Sequence, residues 1–280
     1  MPVIHRNGLP DLHFEVDDFT DPWSNAPILL LQHGYGRSSK FWYQWVPYLS
    51  RFFKVVRPDL RGLGQSGKDF DFSKGLTAEN YVADVRAIVD HLGGGPIHYC
   101  GESIGGIIGM AFAGTYPHLV RSLSLVSAPV FISENARRGY ACGHASWSEA
   151  VRKMGPRDWL IETNTSTRFP PDMSPHFLDW YNENVAAAGV DMLAAMADFA
   201  LAGDVTPFLP KIEAPTLVLY PTGGALANEE QRDVLKKHVK NLRFVHLPTR
   251  FHMIHYIQPA LCARQVLHFA GGIDGRVCDE

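Results

Sequence analysis

The stretch PIHYCGESIGGIIGMAFAGTYP, residues 96–117, decides the fold of this chain. Its first five residues are typical of a buried strand and its last eleven of a helix, and GESIGG (101–106) joins the two. The joining segment matches G-x-S-x-G, the pattern of a serine on a sharp turn between a strand and a helix. So tight a turn leaves no room for side chains at Gly101 and Gly105. The pattern predicts that Ser103 lies at the carboxyl edge of a sheet, where its hydroxyl can act as a nucleophile.

Strands of the same kind recur along the chain, with helical segments between them. They are PILLLQ (27–32), FKVVRP (53–58), SLSLVS (122–127), PTLVLY (215–220) and RFVHLP (243–248). Helices are predicted from Thr77, as N-cap, to Leu92, and over Ile107–Tyr116, Glu229–Val239 and Gln258–Phe269. Near-continuous apolar runs of this length are typical of strands covered on both faces. The predicted class is therefore α/β, with a mostly parallel central sheet and helices on both faces.

The alternation of strands and helices breaks between about Pro129 and Phe208. This region is rich in tryptophan, tyrosine and phenylalanine and has a mainly helical pattern. We therefore predict an α/β core formed by residues 1–128 and 209–280, with residues 129–208 inserted as a helical cap. Most of the aromatic side chains should pack in the cap, and some should line a pocket.

Composition narrows the classes of partner. At 280 residues and 46% hydrophobic, the chain can bury a large core. Its formal net charge of -3 favours neither nucleic acid nor an anionic membrane, which leaves a small-molecule substrate. No apolar segment follows the N-terminus and no uncharged apolar run reaches the length of a membrane span, so we expect a cytoplasmic protein. The sequence does not decide whether the chain forms a homodimer.

The cysteines and histidines indicate no metal site. Cys100, Cys142, Cys262 and Cys278 show no C-x-x-C spacing, and we expect free thiols. No H-E-x-x-H or similar cluster of ligands occurs. We therefore expect neither a metal nor an organic cofactor.

A serine hydroxyl needs a base within hydrogen-bond reach before it becomes a good nucleophile. Of the chain's 13 histidines, His252 is the best placed, because it follows the last predicted strand by a short loop. That position brings it to the same sheet edge as Ser103. His246, His255 and His268 lack this combination.

The chain resembles the α/β-hydrolase fold family, in its group of capped esterases, lactonases and meta-cleavage product hydrolases. The resemblance is carried, in the family's order, by LQHGYG (31–36), RPDLRGLGQS (57–66), YCGESIGG (99–106), APTLVLY (214–220) and FHMIHYIQPA (251–260). It implies an oxyanion hole in which the backbone N–H groups of Tyr35 and Ile104 hold the developing negative oxygen.

A second glycine pattern competes with this one. Residues 62–67, GLGQSG, match the dinucleotide fingerprint G-x-G-x-x-G, but loop-like sequence rather than a helix follows them. We interpret the segment as a structural turn that Asp59 and Arg61 tie down. Arg61 or Arg250 could instead meet an anionic substrate.

The family's catalytic acid has no counterpart at its usual place. The resemblance puts that acid at Gly224, or in some relatives at Ser127, and neither is acidic. Three explanations stay open. Glu229 or Glu230 reaches His252 from the loop after PTLVLY, a carboxylate such as Glu134 or Asp204 approaches from the cap boundary, or a backbone carbonyl or water orients a Ser–His dyad. Loss of the acid matters because it fixes the histidine tautomer.

The resemblance and the two side chains together predict a serine hydrolase that cleaves a small ester or lactone through an acyl-enzyme intermediate. Carbon–carbon bond hydrolysis and cofactor-free oxygen chemistry on the same fold are alternatives. A non-catalytic ligand receptor is a third, motivated by the absent acid. Epoxide hydrolases and dehalogenases of this fold carry an aspartate where Ser103 stands, which disfavours both.

Overall fold

The computed structural model describes residues 2–278, and within them eight strands form one sheet. The strands are β1 (Val3–Ile4), β2 (Leu12–Asp17), β3 (Ile28–Gln32), β4 (Lys54–Pro58), β5 (Ile97–Glu102), β6 (Val120–Val126), β7 (Thr216–Pro221) and β8 (Leu242–Leu247). Their order is β1-β2-β4-β3-β5-β6-β7-β8. β2 pairs antiparallel with both β1 and β4. The remaining neighbours, from β4–β3 to β7–β8 in the sheet order, pair parallel. The mostly parallel sheet is confirmed, and all six predicted strands are present.

Helices cover both faces of the sheet. They are α1 (Val46–Leu49), α2 (Phe72–Gly75), α3 (Ala78–His91), α4 (Ile104–Thr115), α5 (Glu134–Ala141), α6 (Trp147–Met154), α7 (Pro156–Thr163), α8 (Pro175–Ala186), α9 (Val190–Ala202), α10 (Glu229–His238), α11 (Ile254–Ile257) and α12 (Pro259–Ile273). Thr77 caps α3 as predicted, because its side chain accepts from the N–H of Asn80. Alternate residues of β3 enter two cores: Leu30 joins α3 and α4, whereas Leu31 joins α1 and α12.

The sequence prediction did not include β2. It pairs with β4 through residues such as Val16, opposite Val56. Its sequence, LHFEVD, is short, and of its last three residues two are only partly buried and Val16 is exposed. It therefore lacks the continuous apolar run that marks the inner parallel strands.

A helical insertion leaves the sheet after β6 and returns before β7. It holds α5 to α9 and a π-helix, Asn164–Arg168. Its two ends meet, since the N–H of Val205 donates to the carbonyl of Val130 at 3.1 Å. It packs on the loop after β3, where the Tyr35 hydroxyl donates to the carbonyl of Leu193 at 2.8 Å. The helices lie inside the predicted cap, residues 129–208, whose standing as a separate domain stays a prediction.

The helices in the described part of the chain are at most 15 residues long. None of them is by itself long and apolar enough to cross a bilayer. Only α8 and α9 together pass on length and composition, and they form a pair bent by 88°.

The turn from β5 to α4 explains the glycines of the opening motif. Ser103 has φ 54° and ψ −119°, a strained conformation for a residue with a side chain. A Cβ at Gly101 would lie 2.3 Å from the carbonyl oxygen of Gly105. A Cβ at Gly105 would lie 2.3 Å from the carbonyl oxygen of Gln32, at the end of β3. The turn therefore requires glycine on both sides of the serine.

We expect Gly105→Ala to destabilise the fold by roughly 1–3 kcal/mol, because backbone atoms must move to admit the methyl group. Urea unfolding followed by circular dichroism measures the change. Gly95→Ala is the matched control, since a Cβ there meets nothing within 4 Å. Equal unfolding free energies for the two variants would contradict the steric account of the turn.

Candidate active site

Ser103 and His252 meet at the carboxyl edge of the sheet. His252 lies in the loop between β8 and α11, and its Nε2 is 3.1 Å from the Ser103 Oγ. Both residues are nearly sealed from solvent, at 8% and 5% exposure. The main chain fixes the loop as well, because the N–H of His252 donates to the carbonyl of Thr167 at 3.0 Å. The two side chains predicted to share a proton are thus in hydrogen-bond contact across 149 residues of sequence.

The loop proposed as an oxyanion hole follows β3 and lies against the turn that carries Ser103. A Cβ at Gly34 would be 2.8 Å from the carbonyl oxygen of Glu102. The N–H of Tyr35 donates to no acceptor within residues 2–278. Ile104 is the first residue of α4, so its N–H has no partner within the helix. Neither N–H has a main-chain acceptor within residues 2–278, and their role as an oxyanion hole stays a prediction.

His33 holds that loop in place. Its Nδ1 lies 2.9 Å from the carbonyl oxygen of Gly34, and its Nε2 accepts from the N–H of Leu60 at 3.1 Å. Burial lowers the pKa of His33 to about 4, so the ring is neutral near pH 7. These bonds suit the tautomer that carries its proton on Nδ1.

The four carboxylates considered as the catalytic acid lie elsewhere, on the exposed surface. Glu229 and Glu230 occupy the first turn of α10, where a negative charge stabilises the helix. Glu134 pairs with Arg138 at 3.1 Å. Asp204 accepts from the N–H of Thr206 at 2.8 Å. None of the four contacts His252 in the part of the chain that the structure describes, so both explanations that relied on them are wrong.

Neither of the family's two positions for the acid supplies an acceptor to His252. At Gly224, three residues after β7, a Cβ would lie 2.6 Å from the ring of Pro221. Ser127 follows β6 directly, is fully buried and has φ 48°. Its hydroxyl finds no partner within residues 2–278, and neither does the Nδ1 of His252. The outer nitrogen of His252 therefore has no acceptor there.

A different carboxylate lies beside His252, on the Ser103 side. Glu102 is fully buried, and its Oε1 is 3.6 Å from the Nε2 of His252. Its Oε2 accepts from the buried guanidinium of Arg37, which also donates to the Tyr181 hydroxyl at 3.0 Å. Sequence reasoning missed Glu102 because it occupies the variable position of G-x-S-x-G. The available signal was a charged residue at the end of a buried strand, which requires a partner.

The surroundings of His252 disfavour its charged form. Burial, followed by the nearby Arg37 and Arg168 guanidinium groups, lowers its pKa from the ordinary 6.5 to about 3. Burial likewise raises the pKa of Glu102, and the charge and hydrogen bond of Arg37 oppose that rise. The resting site is thus one in which His252 is a neutral base beside an ion pair.

The two arginines considered for an anionic substrate are not part of this site. Arg61 pairs with the buried Asp84 at 2.5 Å, and Arg250 is exposed beside the Phe251 ring. Asp59 accepts from the N–H of Gln65 at 2.9 Å, which fits the predicted structural turn. In the described residues no group of three or more His, Cys, Asp or Glu side chains could hold a metal ion.

Three comparisons place the chain among known proteins. A family profile described as "alpha/beta hydrolase fold" matches residues 27–259. RutD of Azorhizobium caulinodans, provisionally named a carbamate hydrolase, is 26% identical over 286 residues, which cover 98% of this chain and 100% of RutD. The 3-oxoadipate enol-lactonase 1 of Acinetobacter baylyi is 28% identical over 228 residues, 79% of this chain and 80% of the lactonase. A solved hydrolase structure from Pseudomonas aeruginosa PA01 superposes with TM-score 0.82 at 23% identity, covering 96% and 98% of the two chains.

We expect the ring of His252 to stay neutral when the pH falls from 8 to 5, because its pKa is lowered to about 3. NMR of protein labelled with ¹⁵N-histidine measures this directly, with the signal assigned by its loss in His252→Gln. The same ring in urea-unfolded protein serves as the reference, with a pKa of about 6.5. A folded-state midpoint near that reference value would contradict the described electrostatics.

Proposed function

Because the chain belongs to the α/β-hydrolase fold family, we propose that it is a serine hydrolase that cleaves a small carboxylic ester or lactone through an acyl-enzyme intermediate. The family makes it an enzyme of the α/β-hydrolase type, and the bond cleaved is the proposed part. The observation that carries the proposal is the 3.1 Å contact between the Ser103 Oγ and the His252 Nε2, at the turn between β5 and α4. The relatives named enol-lactonase and carbamate hydrolase act, by those names, on acyl carbons.

The proposed reaction starts with attack of the Ser103 Oγ on the carbonyl carbon while the Nε2 of His252 takes the hydroxyl proton. The carbonyl oxygen becomes an oxyanion that accepts from the N–H groups of Tyr35 and Ile104, and such a donor contributes about 3–4 kcal/mol in the transition state. His252 then protonates the departing alcohol oxygen as its bond to carbon breaks. Water, deprotonated by His252, releases the acid and restores Ser103.

Glu102 supplies the counter-charge that the missing acid would otherwise give. Once His252 holds the serine proton, its ring is a buried cation, and Glu102 Oε1 at 3.6 Å is the carboxylate nearest to its Nε2. Arg37 keeps the other carboxylate oxygen in place. Glu102 cannot fix the tautomer through Nδ1, so we propose that it stabilises the charge of the ring, while the main-chain bond of residue 252 to Thr167 fixes the loop.

Ser103→Ala should lower turnover of p-nitrophenyl esters by roughly 10⁴-fold or more, because the nucleophile is lost. His252→Gln should give a loss of similar size, since the two residues act as a unit. The control is Ser124→Ala, which removes another buried hydroxyl, within β6. Turnover that survives Ser103→Ala would end the proposal.

Glu102→Gln keeps the shape of the side chain and removes its charge. We expect kcat to fall about 10–100-fold with little change in KM, because the charge acts on a ring that is cationic only after proton transfer. Matched controls are Glu230→Gln and Glu134→Gln, which alter exposed carboxylates that do not contact His252 and should leave kcat unchanged. A larger loss in either control than in Glu102→Gln would assign the acid's role to another residue.

One observation favours a second candidate function, a ligand receptor with little turnover. The Nδ1 of His252 is buried and has no acceptor within residues 2–278, so the ring lacks the usual bond that selects its active tautomer. Slow single-turnover kinetics together with a ligand-dependent rise in melting temperature would support this function.

Carbon–carbon bond hydrolysis uses the same two residues, and a dienoate substrate assayed beside the ester separates the two reactions. The cytoplasmic location stays a prediction.

A further inference from the structure

A third buried side chain belongs to a segment whose main chain is bound to the loop of His252. Arg168 ends the π-helix of the insertion and is 4% exposed. Its main-chain carbonyl accepts from the N–H of Met253 at 3.2 Å, so the backbone of this segment is bound to the loop that carries His252. π-helical turns are rare and often occur at functional sites.

Arg168 is buried without a carboxylate partner. Three arginines are buried in the described residues, and the other two pair with acids: Arg37 with Glu102, and Arg61 with Asp84. The guanidinium of Arg168 donates through Nη1 alone, to neutral oxygens of Thr163 and Asn164. Its Nε and Nη2 donate to no acceptor within residues 2–278, and neither atom is fully closed to solvent.

Two aromatic rings are its remaining neighbours. The guanidinium carbon lies 4.7 Å from the ring centroid of Trp159 and 4.9 Å from that of Tyr140. Such contacts stabilise a cation, but this stabilisation is smaller than the desolvation penalty of burying an unpaired charge. The unused donors and the uncompensated charge therefore call for an anion.

The aromatic neighbours of Arg168 connect it to the loop that follows β3. The ring of Trp159 also lies 5.5 Å from the ring of Tyr35, in the proposed oxyanion loop. Burial lowers the pKa of His252, and the positive charges of Arg37 and Arg168 lower it further. With Arg37 and Arg168 positive and Glu102 negative, the buried site carries one unbalanced positive charge.

We propose that Arg168 binds a carboxylate of the substrate, so that the enzyme acts on esters or lactones that also carry an acid group. The two free donors, on Nε and Nη2, form the edge of the guanidinium that a carboxylate contacts through both oxygens. Binding of that carboxylate balances the charge of the site and lets His252 become cationic during proton transfer. That the bound carboxylate belongs to a substrate rests on the proposed function. Binding of an anion by Arg168 does not depend on turnover.

The test compares benzoate with benzamide, which have the same ring and differ in charge. Isothermal titration calorimetry on the wild-type full chain should show benzoate binding at least about tenfold more tightly, the size expected for charge-assisted hydrogen bonds. Arg168→Met should reduce that ratio to near one. Arg152→Gln, which removes an exposed arginine of the insertion, should keep the wild-type ratio.

The second measurement needs no variant and covers the case in which Arg168→Met fails to fold. In the wild-type protein, the ¹⁵N signal of the Arg168 Nε should shift on adding benzoate and stay in place on adding benzamide. Equal affinity for the two ligands, no measurable benzoate binding, or benzoate binding that leaves the Nε signal unmoved would overturn the inference. Because neither readout uses catalysis, loss of the proposed esterase activity would leave this result standing.

Discussion

The proposed chemistry depends on one hydrogen bond at a place where the backbone has almost no freedom. The Ser103 Oγ reaches the His252 Nε2 at 3.1 Å only because the strand-to-helix turn holds the serine at φ 54°. That turn in turn requires glycine at positions 101 and 105, where a Cβ would strike backbone oxygens. A few backbone positions therefore fix where chemistry occurs, and the rest of the sheet supplies the second residue at the same edge.

Around that hydrogen bond the site is buried and carries an unusual set of charges. A neutral histidine lies beside two guanidinium groups and one carboxylate, all buried. In the proposed reaction Glu102 is the carboxylate within the site that stabilises a cationic His252. We propose that two further negative charges come with the substrate, an oxyanion at the N–H groups of Tyr35 and Ile104 and a carboxylate on Arg168. The site lacks one carboxylate and contains one arginine without an acidic partner. In our proposal the substrate carboxylate supplies the absent negative charge.

The sequence was sufficient for the parts of the site that follow from local pattern. Ser103 sits in a motif whose geometry is steric, and His252 follows from its place after the last strand. Glu102 occupies the position that the motif leaves free, so only burial reveals that it needs Arg37 as a partner. Arg168 depends on how a π-helix of the insertion packs against the loop of residue 252, which no local pattern encodes. The places of Glu102 and Arg168 in the site depend on contacts between segments that are distant in sequence, so local patterns could not predict them.

The most direct test of the central claim is mass spectrometry of the protein after treatment with a serine-directed fluorophosphonate. Such a reagent needs a hydroxyl activated by its neighbouring base and leaves a stable adduct on it. The account predicts one adduct, on the peptide that contains Ser103, and a much slower reaction in His252→Gln. A wild-type protein that stays unlabelled, or a label on a different serine, would contradict it.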